Sequence, residues 1–118
     1  MVFVVDDDVS VREALEGLIK SAGWRVGTFA SAQEFLSHSR TDAPSCLVLD
    51  IAMPGMSGTD LWQELTKRRQ VIPIVFITAS GDRSIRRRVI AEGAVECLFK
   101  PFSGTALREA LHAALRLR

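Results

Sequence analysis

Apolar residues along the chain form short runs, and longer stretches of mixed polarity separate them. The runs of strand length cover residues 2–5, 24–29, 46–49, 74–77 and 95–99. Between these runs, apolar residues recur every three or four positions, as they do on the buried face of a helix. Strands that alternate with helices need right-handed crossovers, so the pattern predicts a parallel sheet with helices on both faces, an α/β fold.

The second run differs from the others because polar and glycine positions interrupt it. Gly27 and Thr28 lie between apolar residues there, and such a mixture suits an edge strand better than a central one. The expected architecture is therefore a flavodoxin-like, doubly wound sheet of five strands in the order 2-1-3-4-5, with five helices.

Capping signals delimit the predicted helices. The first helix is predicted over residues 9–22 and ends before Gly23. The second and third helices begin at Ser31 and Ser57, each with a capping-box acid three residues later, Glu34 and Asp60. The fourth covers about residues 82–92, and the fifth begins at Ser103. Each start combines a hydroxyl or acidic side chain with a following apolar periodicity. The fifth helix is expected to run out at Arg118, which suggests that the chain was cut from a longer one.

Length and composition favour one soluble, cytoplasmic domain. The chain has 118 residues, 47% of them apolar and 25% charged, and its apolar runs are far shorter than the roughly 20 residues that span a bilayer. Three acids follow the apolar start directly, unlike a signal peptide. The net charge of +1 gives no general reason to bind nucleic acid. Cys46 and Cys97 fall in strand runs and are expected to be small buried apolar residues.

Asp50 is the residue that the sequence singles out for chemistry. It follows a buried strand directly and precedes a turn through Met53, Pro54 and Gly55. Ligands of open α/β sheets bind beyond the carboxyl ends of the strands, so a carboxylate there is anchored and accessible. This position predicts a nucleophile that accepts a phosphoryl group.

Three more acids, Asp6, Asp7 and Asp8, follow the first strand and are expected to converge on Asp50. Two unit charges about 4 Å apart repel by roughly 4 kcal/mol at an effective dielectric constant near 20. Gathered carboxylates therefore need protons or a divalent cation, and a hard, oxygen-only site suits Mg²⁺. For Asp8, which precedes the first helix, a capping role is favoured over metal ligation.

The fourth and fifth strands end in Thr78 and Lys100, which would add a hydroxyl and an ammonium at the same edge. A carboxylate nucleophile, metal-binding acids, a hydroxyl donor and a cation together form the set that phosphoryl transfer to an aspartate requires. Each residue alone is a weak signal, because single polar residues at strand ends are usually caps or solvated loop residues.

Four segments, VVDDD, LVLDIAMPGMSG, IVFITAS and LFKPF, resemble the signatures of the response regulator receiver domain, in the family's order. The likeness covers essentially the whole chain. The runs SVREALEGLIKSAGW, FASAQEFL and EGAVECLFKPF look most like the FixJ-type branch, whose receivers usually precede a helix-turn-helix DNA-binding domain. The resemblance implies that residues 1–118 are a receiver domain and that its output domain, which would bind DNA and regulate transcription, is absent from this chain.

The resemblance also implies roles for the residues at the strand ends. Asp50 would accept a phosphoryl group from a phosphohistidine of a sensor histidine kinase, or from a small phosphodonor. The resemblance implies that Asp7 and Asp50 bind Mg²⁺ (or Mn²⁺) directly, that Asp6 acts largely through water, and that the Ala52 carbonyl is a further ligand. Thr78 and Lys100 would contact the phosphoryl oxygens. Pro101 would follow a cis peptide bond. Self-phosphorylation and autodephosphorylation would be the domain's only catalytic activities. Phosphorylation could pair two copies through helix four, strand five and helix five.

The chain departs from the family at three positions. Receivers usually carry an aromatic switch residue where this chain has Cys97, so that switch is missing or is replaced by Phe99 or Phe102. Ala52 and Ser80 occupy positions that tune the lifetime of the phosphorylated state in the family, and neither side chain is an acid or a base.

Helix four carries an unusual basic strip of Arg83, Arg86, Arg87 and Arg88. At 100° per residue, Arg86 falls within the sheet-facing arc. Its head must therefore reach out to solvent, or the helix must shift, and the first turn of this helix is expected to be distorted or mobile. The strip is open to three interpretations: an ordinary solvated face, a surface for an acidic partner, or one for nucleic acid.

Two other functions use a similar sheet. A phosphatase or mutase of the haloacid dehalogenase type also has a strand-end aspartate and Mg²⁺, but it carries a second acid where this chain has Ala52, and a cap domain has no counterpart here. A flavodoxin-like binder of a flavin or nucleotide would need a glycine-rich phosphate loop, and this chain lacks that pattern.

Overall fold

The computed structural model describes residues 1–38 and 46–116, in which five strands alternate with five helices. The elements in chain order are β1 (Val2–Val5), α1 (Val9–Ser21), β2 (Val26–Phe29), α2 (Ala32–Ser37), β3 (Cys46–Asp50), α3 (Gly58–Lys67), β4 (Ile74–Thr78), α4 (Arg83–Ala91), β5 (Glu96–Phe99) and α5 (Gly104–Leu115). All strand pairs are parallel, and the order is β2-β1-β3-β4-β5. The predicted fold class and the edge position of the second strand are confirmed.

The core consists of two layers, one on each face of the sheet. Successive side chains of a strand point to opposite faces, so Phe3 and Val5 join one layer while Val2 and Val4 join the other. Helices α2, α3 and α4 cover the first layer, and α1 and α5 cover the second. Burial of each large apolar side chain stabilises the fold by roughly 2 kcal/mol. The sheet is therefore a rigid support for the residues at the carboxyl ends of its strands.

Strand boundaries differ from the predictions by one or two residues. β2 begins at Val26 instead of Trp24, because the Trp24 N–H donates to the Ile19 carbonyl at the end of α1 and is unavailable for pairing. β5 begins at Glu96, one residue late. β3 and β4 each extend one residue further, and they include Asp50 and Thr78. The two polar residues are therefore parts of the sheet and do not belong to flexible loops.

Most of the predicted helix ends are confirmed. Ser31, Ser57 and Ser103 each accept a backbone N–H of the first turn, and Ser57 with Asp60 completes a capping box. The box predicted at Ser31 is incomplete, because Glu34 accepts from the N–H of Ala30. Helix α1 ends at Ser21, one residue early, and Gly23 follows with φ of +92°. The predicted end at Arg118 lies outside the described residues.

Helix α4 begins at Arg83 and carries Arg86 partly towards the sheet. The head of Arg86 emerges to make an ion pair of 2.7 Å with Glu96 of β5, and 42% of its side chain is exposed. Of the two alternatives expected for Arg86, this exposure fits a head that reaches outwards from the sheet, while distortion or mobility of this turn stays a prediction. Within the described ranges, no helix has the length and apolar character needed to cross a bilayer.

Candidate functional site

Carboxylates from two neighbouring strands meet at one edge of the sheet. Asp50 ends β3, and Asp6 and Asp7 follow β1, which pairs directly with β3. One oxygen from each of the three side chains lies within 4.8 Å of the other two. Asp6 and Asp50 are buried while Asp7 is exposed. The parallel pairing thus brings together three of the four acids that were expected to converge, Asp6, Asp7 and Asp50, while Asp8 lies outside the cluster.

Asp6 is held by donors from three parts of the chain. The Asp8 N–H donates to Oδ1 at 2.8 Å, the Lys100 ammonium donates to Oδ2 at 3.1 Å, and the Arg12 guanidinium donates to the Asp6 carbonyl at 2.8 Å. Both carboxylate oxygens are therefore engaged, which fits a contact with a cation through water better than direct ligation. Arg12 was not among the residues predicted from the sequence, although its place one turn into α1 lets it reach back to the loop before that helix.

Lys100 lies between the two buried acids. Its ammonium is 3.1 Å from Asp6 and 3.7 Å from Asp50 Oδ1, and 21% of the side chain is exposed. The Lys100 N–H also donates to the Thr78 carbonyl at 2.8 Å, which ties the end of β5 to β4. The Lys100–Pro101 peptide bond is cis, in agreement with the sequence-based expectation.

Thr78 lies at the same edge as Asp50. It ends β4, next to Ile77, which pairs in register with Asp50. Its hydroxyl oxygen accepts the Ser80 N–H at 3.1 Å, and its side chain is buried. The hydroxyl hydrogen remains available to donate to an oxygen that enters the site.

Burial and neighbouring charges shift the protonation of Asp50. Loss of solvent is the largest cause, followed by repulsion from Asp6, and together they raise the pKa of Asp50 from 3.8 to about 6, against the opposing effect of Lys100. At neutral pH the carboxylate is therefore mostly ionised, as a nucleophile requires. A cation held by the cluster would favour the ionised form further.

The donor set fits a hard divalent cation. Three carboxylates, one of them exposed, offer oxygen ligands and leave room for water, which is the environment that Mg²⁺ prefers. Asp8 is outside the cluster because its side chain accepts the N–H groups of Ser10 and Val11 as the cap of α1. Ala52 is exposed two residues after Asp50, and the role of its carbonyl as a ligand stays a prediction.

The two cysteines, the two candidate switch phenylalanines and the two histidines are not part of the acid cluster. Cys46 and Cys97 are free and buried as expected, and burial raises both thiol pKa values, that of Cys46 to about 12. Phe99 and Phe102 are partly buried and flank Lys100 and Pro101 in the chain. His38 and His112 make ring contacts with Phe29 and Trp24, respectively.

Residues 2–112 match the response regulator receiver domain family. The chain belongs to this family. Receivers of response regulators work with sensor kinases, and the match supports the signalling interpretation while giving no support to a phosphatase of the haloacid dehalogenase type.

Individual relatives place this receiver near the FixJ-like branch. It is 46% identical over 114 residues to Nodulation protein W of Bradyrhizobium diazoefficiens, covering 97% of this chain and 50% of that protein. It is 34% identical over 115 residues to Transcriptional regulatory protein FixJ of the same organism, covering 98% and 56%. The solved structure of response regulator StyR is 52% identical with a TM-score of 0.88, covering 98% and 59%. The chain thus spans about half the length of these relatives.

Proposed function

We propose that this receiver accepts a phosphoryl group on Asp50 and thereby controls an output domain. The observation that carries the proposal is the Asp50 carboxylate itself, fixed at the end of β3 between the acids after β1 and the ammonium of Lys100. One carboxylate oxygen would form a bond to phosphorus as the bond from phosphorus to the donor's imidazole nitrogen breaks. The electron pair of that bond leaves with the nitrogen.

The neighbouring residues have distinct parts in this transfer. Lys100 would pair with the phosphoryl oxygens once the phosphate is in place, because its ammonium is already 3.7 Å from Asp50. The Thr78 hydroxyl would donate to another phosphoryl oxygen. Asp7 and Asp50 would hold Mg²⁺ (or Mn²⁺) directly, with Asp6 acting through water and the Ala52 carbonyl as a further ligand. The bound cation would supply positive charge beside the phosphoryl oxygens.

The donor in this proposal is the phosphohistidine of a sensor histidine kinase, or a small phosphodonor. The domain would catalyse its own phosphorylation and dephosphorylation and no other reaction. FixJ is by its name a transcriptional regulatory protein, so the output proposed here is control of transcription by a DNA-binding domain outside residues 1–118. Phosphorylation would favour pairing of two copies through α4, β5 and α5.

Phosphorylation with acetyl phosphate and Mg²⁺, followed by intact-protein mass spectrometry, tests the proposal. The wild type should gain one phosphoryl group, and Asp50→Asn should gain none. Asp8→Asn is the matched control, since it removes a carboxylate of the same loop while asparagine still caps α1. Equal labelling of Asp50→Asn and the wild type would remove Asp50 from this role.

A further inference from the structure

Arg12 reaches the loop that carries Asp6, Asp7 and Asp8, yet it makes no ion pair with any of these acids. Its guanidinium donates to the backbone carbonyl of Asp6 at 2.8 Å, and none of the ion pairs within the described parts of the chain involves Arg12. The side chain is partly buried. A guanidinium that only neutralised the acids would be expected to bind a carboxylate, so this geometry indicates a different role.

The carbonyl that Arg12 contacts belongs to the peptide unit between Asp6 and Asp7. Because a peptide unit is planar, a donor that holds the Asp6 carbonyl also restrains the N–H and the Cα of Asp7. The other end of the loop is fixed as well, since the Arg12 N–H donates to the Asp8 carbonyl at 3.0 Å. One residue of α1 therefore holds the backbone on both sides of Asp7.

The carboxylate of Asp7 has no contact of its own that would fix its position. Asp7 is exposed, and among residues 1–38 and 46–116 its side chain makes no hydrogen bond or ion pair. One of its oxygens nevertheless lies within 4.8 Å of a carboxylate oxygen of Asp6 and of Asp50. The backbone of Asp7 therefore decides where this carboxylate lies relative to the other two.

We propose that Arg12 is a positioning residue for the divalent-cation site, which directs the Asp7 carboxylate towards Asp6 and Asp50 by holding the Asp6 carbonyl. This inference rests on the proposed function, in which Asp7 and Asp50 bind the cation, and it adds a residue that does not touch the cation. Residues that orient metal ligands in this way typically contribute about 10–100-fold to metal affinity.

The charge of Arg12 and its hydrogen bond predict effects of opposite sign on cation binding. The guanidinium is a positive charge beside a site for a cation, so on charge alone its removal should strengthen the binding of Mg²⁺. Loss of the hydrogen bond to the Asp6 carbonyl should weaken the binding, because the Asp7 carboxylate is then free to turn away. The sign of the change in affinity therefore separates the two roles.

Titration of the ¹⁵N-labelled full chain with MgCl₂ at constant ionic strength, followed by NMR chemical shifts, measures the dissociation constant. Arg12→Met should bind Mg²⁺ about tenfold or more weakly than the wild type. Arg12→Lys keeps the charge and a donor group, so it should recover part of the loss. The matched control is Arg25→Met, because Arg25 is exposed and precedes β2 at the opposite edge of the sheet. It should change the dissociation constant less than about twofold.

The mobility of Asp7 without metal supplies a second readout. The ¹⁵N order parameter of Asp7 should fall from about 0.85 in the wild type to below about 0.6 in Arg12→Met, while the strands keep their values. Dispersed amide shifts in β1 and β3 show that the variant is folded, so weaker binding then has a local cause. If Arg12→Met unfolds, Arg12→Gln, which is also neutral, replaces it with the same expected results.

Phosphorylation by acetyl phosphate separates an effect on the cation from an effect on the phosphoryl group. At saturating Mg²⁺, Arg12→Met should be labelled at nearly the rate of the wild type. A rate that stays low at saturation would show that Arg12 acts on the phosphodonor, which overturns the inference.

Three further results would also overturn it. They are Mg²⁺ binding by Arg12→Met that equals or exceeds that of the wild type, an unchanged order parameter at Asp7, and a wild type that does not bind Mg²⁺ at concentrations well above the millimolar range. A wild type that binds Mg²⁺ in an Arg12-dependent way but accepts no phosphoryl group would refute the proposed function and support the positioning role.

Discussion

Asp50 is a buried carboxyl group whose ionisation makes the stability of this domain depend on pH. In the protein without metal its pKa is about 6, against 3.8 for a solvated aspartate, so the folded state holds the proton more tightly than the unfolded state. The contribution of this group to the free energy of unfolding is therefore complete below pH 4 and falls as the pH rises to about 6.

The expected loss over this range is roughly 3 kcal/mol, by conversion of the pKa difference to free energy. Urea unfolding of the wild type and Asp50→Asn in the presence of a chelator, from pH 4 to pH 7.5, measures it. Asp50→Asn should gain stability relative to the wild type as the pH rises, because asparagine carries no charge to bury. Parallel curves for the two proteins would contradict the raised pKa.

The neighbours of Asp50 should shift its pKa in opposite directions. Asp6→Asn removes the repulsive charge and should lower the pKa of Asp50, whereas Lys100→Met removes the attractive charge and should raise it. Carbon-detected NMR of the Asp50 carboxyl group without metal measures both shifts. The absence of a shift in both variants would mean that burial alone sets the pKa, and shifts of the same sign would contradict the opposite effects of the two charges.

At the scale of single elements, the junction of β3 and α3 leaves no space for a side chain at Gly58. A Cβ there would overlap the Asp50 carbonyl oxygen and lie 3.0 Å from the Ile51 Cα. The Gly58 N–H donates to the Ile51 carbonyl at 2.8 Å, which fixes the turn after Asp50. The start of helix α3 thus packs directly against the backbone of Asp50, the proposed phosphoacceptor.

Gly58→Ala should destabilise the domain by about 2–3 kcal/mol and slow phosphorylation, because the backbone at Asp50 has to move. The matched substitution is Gly17→Ala in α1, where a Cβ meets nothing within 4 Å. It should stabilise the protein by about 0.5–1 kcal/mol, because alanine is the better helix former. Urea unfolding and acetyl phosphate kinetics measure the two effects, and equal stabilities would contradict the described packing.

At the scale of the whole molecule, the acid cluster exists only when β1 and β3 are paired. A cation that binds this cluster binds the folded state and not the unfolded chain, so it stabilises the fold. At a Mg²⁺ concentration about one hundred times its dissociation constant, the gain should be roughly 2.7 kcal/mol.

Thermal unfolding with MgCl₂, compared with NaCl at equal ionic strength, measures this gain. Asp7→Asn should lose most of it, because Asp7 is the exposed acid of the cluster, whereas Asp8→Asn should keep it. A gain in Asp7→Asn equal to that of the wild type would show that the cation binds elsewhere.

The sequence alone determined the strand order and the edge at which the polar residues meet. Buried strands need continuous apolar runs, so Asp50, Thr78 and Lys100 were located by where those runs end. The caps at Ser57 and Ser103 were equally local and therefore readable. The start of β2 could not be predicted in this way, because the Trp24 N–H donates to the Ile19 carbonyl of α1, the element that precedes β2 in the chain.

Only the tertiary structure decided which charges meet. Lys100 contacts Asp6 across 94 positions of sequence, and no periodicity encodes such a pairing. The sequence left two alternatives for Arg86, a head that reaches outwards or a shifted helix, and the pairing of Arg86 with Glu96 follows only from the packing of α4 on β5. The pKa of Asp50 depends in the same way on burial and on residues of other strands. Local patterns fix which residues end each strand, while long-range packing sets the distances and the solvent exclusion that give those residues their chemistry.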